Sequence, residues 1–190
     1  MEEKTKKLSN DEFKLIVGSL SFTYRQFCFN KRGHQEISGE SWKNFEDTWS
    51  HILVSWRHYY LINLAKIFDK KSYNTRSGKK ITLSIFRAIP KSKFNTSDRK
   101  TIEKIIRVRN EMLAHLEAEK ALQGKRSEES YGLDFGGKQI ESLIGNAFEM
   151  LNQVRNDYGF PYELNQRQQK EDAEKEFDRW YKIWKEAYSK

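Results

Sequence analysis

Residues 42–69 read WKNFEDTWSHILVSWRHYYLINLAKIFD, and within them Trp42, Phe45, Trp49, Ile52, Leu53, Trp56, Tyr60, Leu64, Ile67 and Phe68 recur mostly at spacings of three and four. That period traces one face of an α-helix, whereas a strand would alternate every second residue. With Ser38-Gly39-Glu40-Ser41 as its opening, the pattern predicts one helix of roughly seven turns, about 40 Å long at about 1.5 Å per residue. Aromatic side chains at helical spacing serve packing, so the stripe reads as core rather than as a platform for stacked bases.

Working outward, the same period returns on both sides. Ser9-Asn10-Asp11-Glu12 places a cap and acids before Phe13, Ile16, Val17, Leu20, Tyr24 and Phe27, a helix predicted to end near 31–33. Residues 69–80 (DKKSYNTRSGKK) are polar and basic and read as an exposed loop. A short helix is predicted over 82–89, stopped by Pro90. Asn95-Thr96-Ser97-Asp98 caps a long helix expected to reach about Leu122, followed by a loop over 123–138. Ile140, Leu143, Ile144, Ala147, Leu151 and Val154 share one face of a helix over 139–157, which Gly159 and Pro161 end. The last helix, 166–189, carries Phe177, Trp180, Tyr181, Trp184 and Tyr188 among Lys175, Arg179, Lys182 and Lys185. That combination suits RNA gripped by stacking and charge, but suits better a helix docking its aromatic face while its lysines stay in water. The expected architecture is all-α, an up-and-down bundle of five to six helices in a single domain over 1–190. Two prolines and ten glycines supply too few turns for an all-β chain.

The net charge is +8 and the isoelectric point about 9.4, which favours a polyanionic partner, although the 27 acids are spread along the chain. Cys28 is the only cysteine, so an intramolecular disulfide and a cysteine-rich zinc site are excluded. The N-terminal MEEKTKKLSNDEF has no apolar stretch typical of a secretory signal. No run approaches the roughly 18 apolar residues that span a bilayer. The expectation is a soluble cytoplasmic protein with no membrane association, no metal and no cofactor.

Residues 97–122 depart from simple packing. Ile102, Ile105, Ile106, Met112, Leu113 and Leu116 cluster on one face, and Arg109 falls in the middle of it, with His115 at its edge beside Val108. A guanidinium on an apolar stripe must meet a fixed carboxylate such as Asp69 or Glu111, line a cleft, or hold a bound anion. Six residues separate Arg109 from His115, which on a regular helix means about 9 Å along the axis and about 120° around it. Serving one reacting atom therefore takes the long reach of Arg, a local distortion, or a second copy across a two-fold axis, so a functional site here predicts a homodimer.

Arg109-Asn110-Glu111-Met112-Leu113-Ala114-His115 resembles the Arg, polar residue, His motif of HEPN domains, in which four to six residues separate Arg from His. The neighbourhood resembles the AbiU-like branch linked to abortive infection. There an aromatic helix ends in a phrase like Leu64-Ala65-Lys66-Ile67-Phe68-Asp69, followed by a basic loop, a short helix like Leu83-Ser84-Ile85-Phe86, and the Arg-Asn…Ala-His helix. The resemblance covers about 40–120. It implies metal-independent RNA cleavage at a composite dimer site, in a toxin–antitoxin or antiphage setting where an antitoxin protein is a further possible partner. His115, with an ordinary pKa near about 6.5, would move a proton between the ribose 2′-hydroxyl and the leaving 5′-oxygen. Arg109 would hold the scissile phosphate, and Asn110 would orient the phosphate or the imidazole. Some HEPN toxins carry a Tyr two residues after the His that a nucleotidyltransferase modifies; here the position is Glu117, so that control is not expected. Other HEPN domains are catalytically silent and bind RNA or a protein partner.

The remaining candidates are weaker. His51 and His58 share a face with each other and line a cleft with Ser55 at most, since no third ligand stands at metal-binding spacing. Arg57, His58, Lys66 and Asp69 are the further candidate binding positions: Arg57 and Lys66 would contact a bound phosphate, although a solvated face suits those two better.

Overall fold

A computed structural model describes residues 8–37, 46–70, 73–74, 78, 80–116 and 137–188, with side chains described for all of these except 37, 46–51, 73–74, 80–81, 111–116 and 188. Five α-helices dominate it: α1 (Asn10–Ile37), α2 (Glu46–Phe68), α3 (Thr96–Leu116), α4 (Gly137–Tyr158) and α5 (Gln166–Tyr188). The predicted all-α bundle is what the chain forms. Between α2 and α3, β1 (Tyr73–Asn74) and β2 (Lys80–Ile81) pair antiparallel, with Tyr73 opposite Ile81. That pairing lies in the stretch read as an exposed loop. The expected opening of the aromatic helix at 38–41, together with Trp42 and Phe45, lies outside the described residues, as do the expected end of α3 near Leu122 and most of the loop after it.

α1 packs against α2, α4 and α5; α3 closes the ring by packing against α2 and α4. The apolar stripes meet inside it. Phe13, Ile16, Leu20, Leu61, Leu64, Ile67, Phe68, Ile102, Ile105, Leu143, Ile144 and Leu151 are all but inaccessible. Burying each such side chain contributes about 1.5–3 kcal/mol, which outweighs the weak helix propensity of so many aromatic and β-branched residues. A smaller cluster joins α5 to the first two helices. Phe177 meets Phe29 edge-on at 5.1 Å between centroids, and Trp180 meets Trp56 at 5.9 Å. Lys185 Nζ sits 4.4 Å from the centre of the Tyr181 ring. The aromatic face of α5 is thus a docking face.

Local signals fix the helix ends. Ser9 Oγ accepts the Glu12 N–H at 3.2 Å while Glu12 Oε2 accepts the Ser9 N–H at 3.1 Å, a reciprocal capping box. Asn95 Oδ1 accepts the Asp98 N–H at 2.8 Å and starts α3. Gly159, at φ +68°, turns the chain out of α4 as the Phe160 N–H returns to the Arg155 carbonyl at 3.0 Å.

Two boundaries differ from the sequence reading. α1 continues to Ile37 rather than stopping at 31–33, because its last turns are packed: Asn30 Nδ2 donates to the Leu53 carbonyl at 2.8 Å in a buried contact, and Arg32 pairs with Glu36. The helix expected over 82–89 is instead an extended approach followed by a 3-10 turn, Ile85–Arg87, capped by Ser84 Oγ on the Phe86 N–H at 3.3 Å. The tight turn drives Ile85 fully into the core, and Pro90 denies the segment another turn.

Gly33 sits where α1, α2 and α5 converge. A methyl group added there would stand 2.7 Å from Leu53 Cδ2 and 3.3 Å from Phe177 Cε2, two buried side chains. Gly18, on the same helix, is exposed and has nothing within 4 Å. Gly33→Ala is expected to lower stability by about 1–2 kcal/mol through overpacking. Gly18→Ala should raise it by about 0.5–1 kcal/mol through helix propensity. Urea denaturation of both variants checks the opposite signs. A second expectation concerns pH. The Ser9 amide, helped by Arg87, holds the Glu12 carboxyl below its usual range. A lowered folded pKa stabilises the protein above the unfolded value and is lost as pH falls through the folded one. Glu12→Gln should therefore cost less than about 1 kcal/mol at neutral pH, and its difference from wild type should vanish in melts recorded at progressively more acidic pH.

Candidate functional site

α3 determines where Arg109 goes. Ile102, Ile105 and Val108 are fully buried on its inner face, and Arg109 follows them at 4% exposure. Leaving one such ion without a counter-charge costs about 3–5 kcal/mol. The counter-charge is Asp69, the first residue beyond α2, whose Oδ2 lies 2.8 Å from Arg109 Nη1. The approach is a close charge contact rather than an aligned hydrogen bond. Another edge of the guanidinium faces Asn110, whose Oδ1 accepts from Nη2 at 2.8 Å and from Nε at 3.2 Å. Neighbouring residues on a helix point about 100° apart, so this clamp draws the guanidinium sideways along α3 toward Asn110, which is exposed. Of the two carboxylates expected from the sequence, Asp69 makes the pair; the Glu111 side chain lies outside the described residues.

Three rings hold Asp69 in place. Phe68, buried, meets Phe94 at 5.8 Å and 83° and Phe86 at 6.2 Å and 59°, while Phe86 and Phe94 meet at 5.9 Å and 90°. The 3-10 turn delivers Phe86, and Phe94 closes the stretch before α3. The phrases 64–69 and 83–86 therefore pack against each other, and their meeting fixes the carboxylate next to Arg109. At the far end of α3, buried Asp98 accepts from Asn146 Nδ2 at 2.8 Å and ties that helix to α4.

His115 lies on the same unbroken helix as Arg109, so no distortion of α3 shortens the about 9 Å axial separation. Its side chain lies outside the described residues, as does Glu117. Lys66 is one turn before Asp69, with Nζ 3.5 Å from Asn63 Oδ1. Arg57 and His58 are twelve and eleven residues before Asp69 on the α2 stretch, hence about 18 and 16 Å away along its axis. Burial pushes the Tyr60 phenol up to about 12, against the pull of Arg57 beside it. Ser55 is exposed, and the His51 side chain lies outside the described residues. The structure thus gathers Arg109, Asn110 and Asp69 and leaves Arg57 and His58 apart from them. Among the described residues no three His, Cys, Asp or Glu side chains are grouped as metal ligands, and no helix is long and apolar enough to cross a membrane.

The outer face of α3 carries Lys100, Lys104 and Arg107 at spacings of four and three, residues not among those expected at the site from the sequence. That spacing was the available signal.

Because the pair is buried, its two charges depend on each other. Arg109→Met and Asp69→Asn are each expected to destabilise the fold by about 3–5 kcal/mol. The Arg109→Met/Asp69→Leu double variant should cost clearly less than their sum, a coupling that a double-mutant cycle in urea measures.

No curated protein and no solved structure matches this chain. The family model for AbiU2 HEPN domains matches residues 38–175, which takes in α2, the aromatic trio, all of α3 and α4, and part of α5. The chain therefore belongs to the AbiU2 family of HEPN domains, and is an abortive-infection-related HEPN module.

Proposed function

We propose that this protein is a metal-independent endoribonuclease of a toxin–antitoxin or antiphage abortive-infection system, which cuts RNA at a composite site of Arg109, Asn110 and His115 formed by a homodimer. The observation that carries the reading is the fixed guanidinium. Arg109 is held on one side by Asp69 and on another by Asn110, and Asn110 reaches solvent. A phosphate stabiliser gains from such preorganisation, because its side chain need not be ordered during the reaction. In the reaction the 2′-oxygen forms a bond to phosphorus and the bond from phosphorus to the 5′-oxygen breaks. His115 takes the 2′-hydroxyl proton, and the leaving 5′-oxygen is protonated by an imidazole. The products are a 2′,3′-cyclic phosphate and a free 5′-hydroxyl. Since α3 runs as one continuous helix through both positions, the Arg109 of one copy works with the His115 of another.

A second reading has its own support: Arg109 is 4% exposed and paired. A closed pair of this kind suits a non-catalytic HEPN module that binds RNA or a protein partner and uses Arg109 to hold α2 against α3.

Purified protein incubated with mixed RNA in the presence of EDTA separates the two. The nuclease reading expects cleavage with cyclic-phosphate ends. His115→Ala should reduce the rate by about 10²–10⁴. Arg109→Lys, which keeps a positive charge for Asp69 but loses the two-nitrogen edge facing Asn110, should reduce it by about 10²–10³ with the fold retained. Binding without cleavage in the wild-type protein, or equal cleavage by all three proteins, would overturn it. Sedimentation of the same samples tests the homodimer.

A further inference from the structure

Charge is distributed unevenly along this chain. Residues 69–107 contain twelve Lys and Arg against three acids, while the rest of the sequence contains 23 against 24. The whole net charge of +8 thus belongs to the segment that leads into Arg109. Part of it is placed with side chains. Residues 91–107 include Lys91, Lys93, Arg99, Lys100, Lys104 and Arg107, with Asp98 and Glu103 as the acids of that stretch. Asp98 is buried and accepts from Asn146 Nδ2, so it is not itself exposed on this face. Exposed Glu103 reaches Lys91 at 3.0 Å.

The geometry of this face is linear. Lys100, Lys104 and Arg107 form one outward stripe on α3, stepping about 6 and 4.5 Å along the axis, on the side away from Ile102 and Ile105. A cleft of about 490 Å³, lined by Lys91, Ser92, Thr96, Arg99, Lys100 and Glu103, opens at its start. Arg107 at its other end is one turn from Asn110. Among the described residues the large apolar side chains that reach solvent are Leu15, Phe22, Tyr59, Tyr158 and Ile183, none of them on this face. Protein interfaces are built round an apolar, aromatic core and are depleted in Lys. Contacts to a nucleic-acid backbone are made by cations and hydroxyls, as here. α5 offers aromatics too, but its six cations are matched by six acids and its aromatic face is docked.

We infer that the outer face of α3, with the cleft at its start, is the track that holds the phosphodiester backbone of RNA and leads it to Arg109 and Asn110. The choice of RNA as the nucleic acid rests on the ribonuclease reading above; the track itself rests on the charge and its geometry. Binding along it is independent of base sequence and depends steeply on salt.

The test uses the full chain and a fluorescein-labelled, single-stranded 2′-O-methyl oligonucleotide, which lacks the nucleophile and cannot be cut by this chemistry. Anisotropy titrations over a range of salt concentrations give affinity and salt slope. Lys100→Gln/Lys104→Gln/Arg107→Gln is expected to weaken binding by about tenfold or more, and to flatten the slope of log affinity against log salt by about 2, at about 0.7 per phosphate contact on a single strand. Glu103→Gln should tighten binding severalfold, a gain that structural damage would not produce. Lys175→Gln/Arg179→Gln/Lys182→Gln on α5 should bind as wild type does. The inference fails if the α3 triple variant keeps wild-type affinity and salt slope. It fails equally if polyglutamate competes as well as unlabelled oligonucleotide, which would mark the face as a dock for an acidic protein. Because the probe cannot be cleaved, unchanged binding alongside absent nuclease activity would remove the enzyme and keep the track.

Discussion

A guanidinium set into an apolar helix face has to be neutralised where it stands. Arg109 obtains that from Asp69, and much of the surrounding structure follows. The carboxylate is useful only if α2 ends at Phe68 and the chain turns there. That ending is held by Phe68 against Phe86 and Phe94, which in turn requires the 3-10 turn at Ile85–Arg87. In a low-dielectric interior a lone charge is costly and a paired one is tolerated. The pair therefore fixes the register of α2 on α3 more narrowly than apolar contacts, which allow sliding. Asn110 completes the arrangement by drawing the guanidinium to the rim of the core.

The rest of the bundle is organised round α1, which the family match, beginning at residue 38, does not include. Phe13, Ile16, Leu20, Tyr24 and Phe27 fill the space between α2, α4 and α5, so α1 is integral to the core in this chain. Its close approach to α2 and α5 is possible because residue 33 has no side chain, and Asn30 satisfies the Leu53 carbonyl that the approach buries. Surface ion pairs such as Arg25 with Glu176 add little beside this burial, being well exposed to water. Cys28 is sealed in the same region, and burial pushes its thiol up to about 11, so it is a small apolar filler rather than a nucleophile.

α3 has three distinct sides. Its inner face is apolar, its outer face cationic, and at the rim between them the buried Arg109 adjoins the exposed amide of Asn110. A buried, pre-oriented guanidinium is poor at capturing a ligand from solution and good at holding one already delivered. In the proposed scheme the outer face does the capturing, so capture and stabilisation fall to different residues of one helix.

Helical class, helix order and most helix starts were legible because they follow from short-range rules: a period of three to four, Ser9 and Asn95 as caps, Gly159 as a terminator. The position of Arg109 on an apolar face was equally legible, and with it the need for a counter-charge. Its identity was not, since Asp69 and Glu111 are equivalent by sequence and only the end of α2 lying against α3 favours Asp69. The same limit governed the segment before α3. Residues 82–89 look helical in isolation, yet a 3-10 turn forms because Ile85 is drawn into the core and Phe86 meets Phe68, eighteen positions away along the chain. By itself the sequence determined which stretches become helices and which charge stands inside them, for those depend on neighbours three or four residues apart. The tertiary structure alone decided what that charge pairs with and which face stays open to solvent, for these depend on groups that come together only when the helices pack.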